Sequence, residues 1–257
     1  MNLIEAKDIS VSIGGRVIVD HVSLAVGKGE MVGLICPNGA GKSTLMKTLV
    51  RILRFQSGSI DLMGQPIHRM DRKILARKLA YLPQGQEVHW PLAVERVVAL
   101  GRIPYLMPWQ DLSDFDDQKI REAMTCSDVL PLARRQINQL AGGEKALVML
   151  ARALASEPEV ILADEPVAGL DPNHQIQVMQ LLKDLAGKGR GIIVVLHNLT
   201  LAARFCKQLF LMREGKIYAS GDPQAVLKPE NLKVAYGIDA RYGHYEGEFF
   251  IVPWQRI

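Results

Sequence analysis

Short apolar runs rich in β-branched residues, at positions 17–19, 31–35, 160–163 and 191–196, alternate with stretches in which apolar residues recur every three to four positions, at 43–53, 144–155 and 175–185. The alternation predicts a parallel sheet with crossover helices, an α/β fold. The last three runs are apolar almost throughout, as expected of central strands covered on both faces. Residues 94–156 carry helical periodicity and no clear strand, with Ser113 placed to cap a helix that begins at Asp114 to Asp117. A helical insertion over 85–156 follows. The Glu214–Gly215 pair between apolar runs predicts a hairpin, and the segment after Gly221 reads as a small helical tail.

Composition adds mainly exclusions. With 48% hydrophobic, 23% charged and 6% aromatic residues among 257, the chain is of ordinary globular type. Its 31 basic and 27 acidic residues, net +4, are interspersed, which argues against nucleic acid as the main partner. The longest apolar runs are five or six residues, far short of the roughly 20 needed to span a bilayer. Glu5 and Asp8 interrupt the N-terminal stretch where an export signal would be basic and then apolar. Cys36, Cys126 and Cys206 are widely spaced and match neither a disulfide framework nor a zinc pattern. A reducing cytoplasm is the expected setting.

The strongest chemical signal follows the run 31–35. CPNGAGKST occupies residues 36–44 and leads into a helical pattern, the strand, glycine turn and helix start of a phosphate-binding loop. Cys36, Pro37, Asn38, Gly39, Ala40, Gly41, Lys42, Ser43 and Thr44 are the candidate nucleotide-binding residues. Glycines let successive N–H groups surround phosphate oxygens at a helix N-terminus. Lys42 supplies a point charge for the β and γ phosphates, and the Ser43 hydroxyl a magnesium ligand. Cys36 stands where the GxxxxGK[ST] pattern has glycine. It fits as a small residue with ordinary backbone angles; alternatively, a thiol beside Lys42 has a lowered pKa and makes nucleotide binding sensitive to alkylation.

VILADEP, residues 160–166, ends an apolar strand in two carboxylates. Consecutive strand residues face opposite sides, so the two do different work: Asp164 in the magnesium shell, Glu165 on the attacking water. His197 ends the next apolar run, 32 residues after Glu165, where a neighbouring parallel strand would leave the sheet beside the nucleotide. It is a candidate to hold the γ-phosphate and the water in line. His21, His68, His89, His174 and His244 have no such context and read as surface or packing residues.

QLAGGEKALVMLARAL, residues 139–154, resembles the signature of ATP-binding cassette (ABC) ATPases, usually LSGGQ or LSGGE. The order of motifs agrees: phosphate loop, Gln84 in YLPQ, the signature at Leu140, Ala141, Gly142, Gly143 and Glu144, the carboxylate strand, Asp171 in AGLD, and His197. The resemblance spans about residues 3–225. It implies a P-loop NTPase (RecA-like) core over 1–84 and 157–225, with an antiparallel edge sheet, an inserted helical subdomain over 85–156 and a C-terminal tail over 226–257. It implies ATP and Mg2+ as ligands and an ATP-dependent head-to-tail homodimer, in which each nucleotide lies between one subunit's phosphate loop and the other's signature. Gln84 would join the metal shell and, with Asp171, couple nucleotide state to the rest of the dimer. Two departures go with Cys36. Ala141 replaces the signature serine, removing a contact to the partner's γ-phosphate worth about 1.5–3 kcal/mol. Ile13 stands where an aromatic ring stacks on adenine.

Residues 93–109, 112–124 and 221–239 most resemble ATPases that serve iron-siderophore, haem and cobalamin uptake, with zinc and manganese importers as the alternative. The resemblance implies permease partners in the membrane, indirectly a substrate-binding protein, no nucleic acid, and a peripheral place on the cytoplasmic face of the bacterial inner membrane. Residues 85–105 would receive a permease helix. Trp90, Pro91, Tyr105 and Trp109 are candidates for an apolar groove there; Trp90 and Trp109 could instead pack the helical subdomain. A different class of function stays open, a nucleotide-gated binding module with weak hydrolysis.

Overall fold

The computed structural model describes residues 1–37, 39–85 and 91–257. Its centre is a six-stranded sheet in which Met31–Ile35 (β3), Val160–Asp164 (β7) and Gly191–Leu196 (β8) are buried at every position. This is the expected signature of strands covered on both faces. Numbering the remaining strands in chain order, Asn2–Ile13 is β1, Arg16–Gly27 β2, Ser57–Leu62 β4, Gln65–Pro66 β5, Leu79–Leu82 β6, Gln208–Arg213 β9 and Lys216–Gly221 β10. The central sheet runs β10-β9-β3-β8-β7-β6. All neighbours pair in parallel except β10, which returns antiparallel through the Glu214–Gly215 turn.

A second sheet, β2-β1-β4-β5, is antiparallel throughout and covers one face of the first, burying Ile4, Ile9, Val22 and Ile60 against Leu34 and Leu45. Helices Lys42–Leu49 (α1) and Arg72–Lys78 (α2) belong to this half. The helical pattern that predicts α1 as far as residue 53 stops at Leu49. Arg51 takes a positive φ of 60°, and its guanidinium donates to the carbonyls of Ile67 (2.9 Å) and Met70 (2.7 Å).

Between β6 and β7 the chain forms Val94–Ala99 (α3), Asp114–Cys126 (α4) and Gly142–Leu154 (α5), with short stretches of tighter helix between them. Ser113 caps α4 as expected. Its hydroxyl accepts the Asp116 N–H, and the Asp116 carboxylate accepts the Ser113 N–H at 3.0 Å. α5 serves both this region and the sheet: Leu147 and Leu150 belong to one continuous apolar cluster with Val97, Ile120 and Met124 on one side and Ile161, Ala163 and Ile192 on the other. Pro172–Gly187 (α6) and Leu199–Phe205 (α7) cover the same face.

Arg102 is buried beside the last turn of α5. It pairs with Asp116 (2.8 Å) and Glu157 (3.0 Å) and donates to the Ala155 carbonyl (2.8 Å), while Tyr105 stacks on its guanidinium. Removing one member of such a network leaves buried charge unmatched, so Arg102→Met is expected to cost about 3–5 kcal/mol of stability. A denaturant titration checks this; an unchanged midpoint would show that the network is neutral to folding.

The tail departs from expectation. After the short helices Pro223–Val226 (α8) and Pro229–Tyr236 (α9) the chain forms a hairpin, Ile238–Tyr245 (β11) with Glu248–Arg256 (β12), rather than continuing as helix. The positive-φ Glu246–Gly247 turn closes it, and Tyr242 stacks on Phe249. Ile251 is buried from β12, and the Thr200 hydroxyl of α7 donates to its carbonyl.

Candidate active site

Because β3, β8 and β7 are consecutive neighbours in the sheet, their carboxyl ends place three sequence-distant segments side by side. The register sets Ile35 opposite Leu196, and Val195 opposite Asp164. Such strand ends are where open α/β sheets bind ligands.

The phosphate loop leaves β3 at Cys36. This residue keeps an ordinary negative φ, which is why cysteine fits where glycine is usual. Gly39 and Gly41 do take positive φ, 79° and 97°. At Gly41 a side chain is excluded twice, since a Cβ would also lie 2.6 Å from the Ile18 carbonyl. That approach joins the loop to the β1–β2 hairpin, in which Ile13 ends β1 half exposed. Lys42 and Ser43 open α1, with Ala40 buried and Pro37 and Thr44 partly so. Asn38 lies outside the described residues.

Lys42 is buried and reaches across to the other two strand ends. Its Nζ is 3.3 Å from Glu165 Oε1 and 3.0 Å from His197 Nε2, and His197 Nε2 is 2.5 Å from the same Glu165 oxygen. Glu165 takes a positive φ of 53°, a strained conformation for a side chain of this size, which turns it out of the strand as β7 ends. Gln84, just beyond β6, donates from Nε2 to the other Glu165 oxygen at 2.6 Å. Three residues singled out from sequence, Lys42, His197 and Gln84, therefore converge on the carboxylate of a fourth, Glu165.

Asp164 faces elsewhere. Burial pushes its carboxyl above the ordinary range, against hydrogen bonds from Ser43 and from Tyr81, 3.4 Å away. Its Oδ1 is buried without a hydrogen-bond partner among the described residues. An orphaned carboxylate oxygen beside a serine hydroxyl is the hard-oxygen donor set that suits magnesium, which keeps several of its own waters.

The reactive-thiol reading of Cys36 is overturned. The side chain is fully buried, and loss of solvation pushes its thiol up to about 12 in spite of Lys42. Iodoacetamide at pH 8 is expected to modify partly exposed Cys126 and to leave Cys36 and Cys206 unmodified until the chain unfolds, as peptide mass spectrometry will record.

The signature residues sit at the start of α5, with Leu140 buried and Ala141 and Gly142 exposed. The Glu144 carboxylate accepts the Ala141 N–H at 2.9 Å, but Ala141 has no oxygen to return the bond, so the helix is capped from one side only. Gly142 lines a cavity of about 590 Å³ together with Gln84, Glu165 and Gly169. Asp171 caps α6 through the N–H groups of Asn173 and His174. Sequence reading passed over His174, whose ring lies 2.5 Å from Asp171 Oδ2; its place three residues after an N-cap aspartate was the available signal. Of the groove candidates, Trp90 lies outside the described residues, Pro91 is exposed, and Trp109 is fully exposed and packs nothing. Tyr105 is engaged internally, donating to the Ser156 carbonyl at 2.9 Å.

A glycine-bounded phosphate loop, an unpaired carboxylate oxygen beside its serine, and a glutamate held by lysine, histidine and glutamine define a phosphate-loop nucleotide hydrolase. A model of the ABC transporter family matches residues 19–168, and the chain belongs to that family, whose members bind and hydrolyse ATP. The chain is 37% identical over 241 residues, 93% of it and 90% of the relative, to the iron(3+)-hydroxamate import ATP-binding protein FhuC of Bacillus subtilis (strain 168). It is 38% identical over 246 residues, 92% and 93% of the two chains, to the hemin import ATP-binding protein HmuV of Bordetella avium. A solved dimeric ATP-binding cassette in a post-hydrolysis state with ADP and Pi is similar with a TM-score of 0.74 and 25% identity, covering 86% of this chain and 99% of that one. No helix among the described residues is long and apolar enough to cross a membrane.

Proposed function

We propose that this chain is the ATP-hydrolysing subunit of an importer for a metal chelate of the iron-siderophore, haem or cobalamin class. The convergence of Lys42, Gln84 and His197 on Glu165 carries the enzymatic part; the likeness to FhuC and HmuV along nine-tenths of the chain supports the cargo class. Lys42 and the loop N–H groups bind the β and γ phosphates, and Glu165 takes the proton of the attacking water. His197 holds that carboxylate in place, and Gln84 ties it to the helical region over 85–156. Asp164 and Ser43 would hold magnesium, which supplies charge neutralisation at the phosphates. Two subunits pair head to tail, as the dimeric cassette supports, so that Ala141, Gly142 and Gly143 of one meet the nucleotide of the other and close the pair. The closed pair drives integral permease subunits fed by a substrate-binding protein, from the cytoplasmic face of the inner membrane.

Uptake tests the cargo. Cells carrying Glu165→Gln in place of the wild-type chain are expected to lose accumulation of labelled ferric hydroxamate, haem or cobalamin while zinc and manganese uptake stays normal. Selective loss of zinc or manganese would replace the chelate reading with the divalent-ion one.

A further inference from the structure

The first turns of α5 and α6 touch at a contact that the scheme above leaves unused. A Cβ on Gly143 would lie 2.1 Å from Cγ and 2.2 Å from Cδ2 of His174, so the imidazole is seated against the Gly143 backbone where no other residue type fits. Gly143 does not have positive φ; the ring alone demands glycine there. The same imidazole is tied through Nδ1 to Asp171 Oδ2 at 2.5 Å, and this bond, first among several, holds the Asp171 carboxyl below its usual range and so ionised at neutral pH. The neighbouring Gln175 donates to the Leu170 carbonyl at 2.9 Å, so the loop is gripped twice from the first turn of α6. The other surroundings of α5's N-terminus are sparse: Ala141 and Gly142 are exposed, and the single-sided cap leaves the turn without the bond a serine would return.

We propose that His174 is a positioning residue for the reaction, a wedge that fixes the signature turn of α5 to the Asp171 loop and so sets where the Gly142 and Gly143 N–H groups stand against the partner subunit's nucleotide. The proposal rests on the reading that the signature acts across a dimer. With Ala141 unable to lock the turn, the ring is what keeps its N–H groups aligned before the pair closes, which favours closure by reducing the ordering that closure requires.

The experiment uses His174→Ala, His174→Asn and His174→Phe, alone and combined with Glu165→Gln. Asparagine keeps a donor for Asp171 without the ring; phenylalanine keeps the ring without the donor. In the Glu165→Gln background, light scattering is expected to show an ATP-dependent dimer that His174→Ala weakens tenfold or more. Phenylalanine, which keeps a ring against Gly143, should recover part of the loss, and asparagine, which keeps only the tie to Asp171, less. In the otherwise wild-type chain, His174→Ala should lower kcat about tenfold with KM for ATP changed less than threefold, and subunit nucleotide affinity and melting temperature should stay close to wild type. Parent-level dimerisation and kcat in His174→Ala would overturn the proposal. So would a parallel fall of affinity and melting temperature in all three variants, the mark of a packing residue. Absence of an ATP dimer in the Glu165→Gln parent itself would remove the cross-dimer premise and the proposal with it, a result separable from either of the others.

Discussion

Glu165→Gln is expected to cut steady-state ATP turnover by about 10²–10⁴-fold, the span of a general base, while nucleotide affinity stays within a few-fold of wild type. The substitution is close to isosteric, so the side chain can still fill its site between Gln84 and His197 and keep the strained backbone of the β7 exit. It removes the negative charge that Lys42 and His197 face and the basicity that the attacking water needs. Binding depends on Lys42 and the N–H groups of the phosphate loop, which the substitution leaves in place, and is spared. The variant should also accumulate as an ATP-bound dimer, because the step that reopens the pair is blocked. Turnover near wild type would strip Glu165 of its role and move attention to His197.

Lys42→Ala should act earlier, weakening nucleotide affinity by about 100-fold or more. The ammonium is the lysine charge in contact with both Glu165 and His197, and a triphosphate spreads its charge over the oxygens it would contact. The same change leaves Glu165 buried without its ion-pair partner, a destabilising effect in its own right. Lys42→Met, which keeps the apolar stem, separates the two. Fluorescent-nucleotide binding should fall equally in both variants, while circular dichroism should report a better-folded methionine variant. Unchanged affinity in a folded variant would refute the phosphate-loop assignment.

Much of this site was legible because its chemistry is written in contiguous segments. The runs 31–35, 160–163 and 191–196 read as central strands, and the residues that follow them carry the reacting groups. What the sequence could not supply was that β8 lies between β3 and β7, which brings Lys42 within reach of both Glu165 and His197. Cys36 was misjudged in its sharper reading because proximity to Lys42 is visible in sequence and burial is not. The helical reading of the tail holds for α8 and α9 and not for the β11–β12 hairpin, although Glu246–Gly247 repeats the Glu214–Gly215 turn signal that marks β9–β10. His174 looked ordinary because its partner Gly143 is 31 residues away and carries no side chain.

α5 spans about 20 Å, from the signature to the turn that meets the buried guanidinium of Arg102. Gly101 packs against the Arg152 carbonyl at that lower end, so the two make a fulcrum. A tilt of about 5° there swings the signature end through roughly 1.7 Å, more than a hydrogen bond tolerates. Substitutions around Gly101 and Arg102 are therefore expected to move the signature turn as well as to lower stability, so that ATP turnover should fall in variants in which no residue that meets ATP has changed.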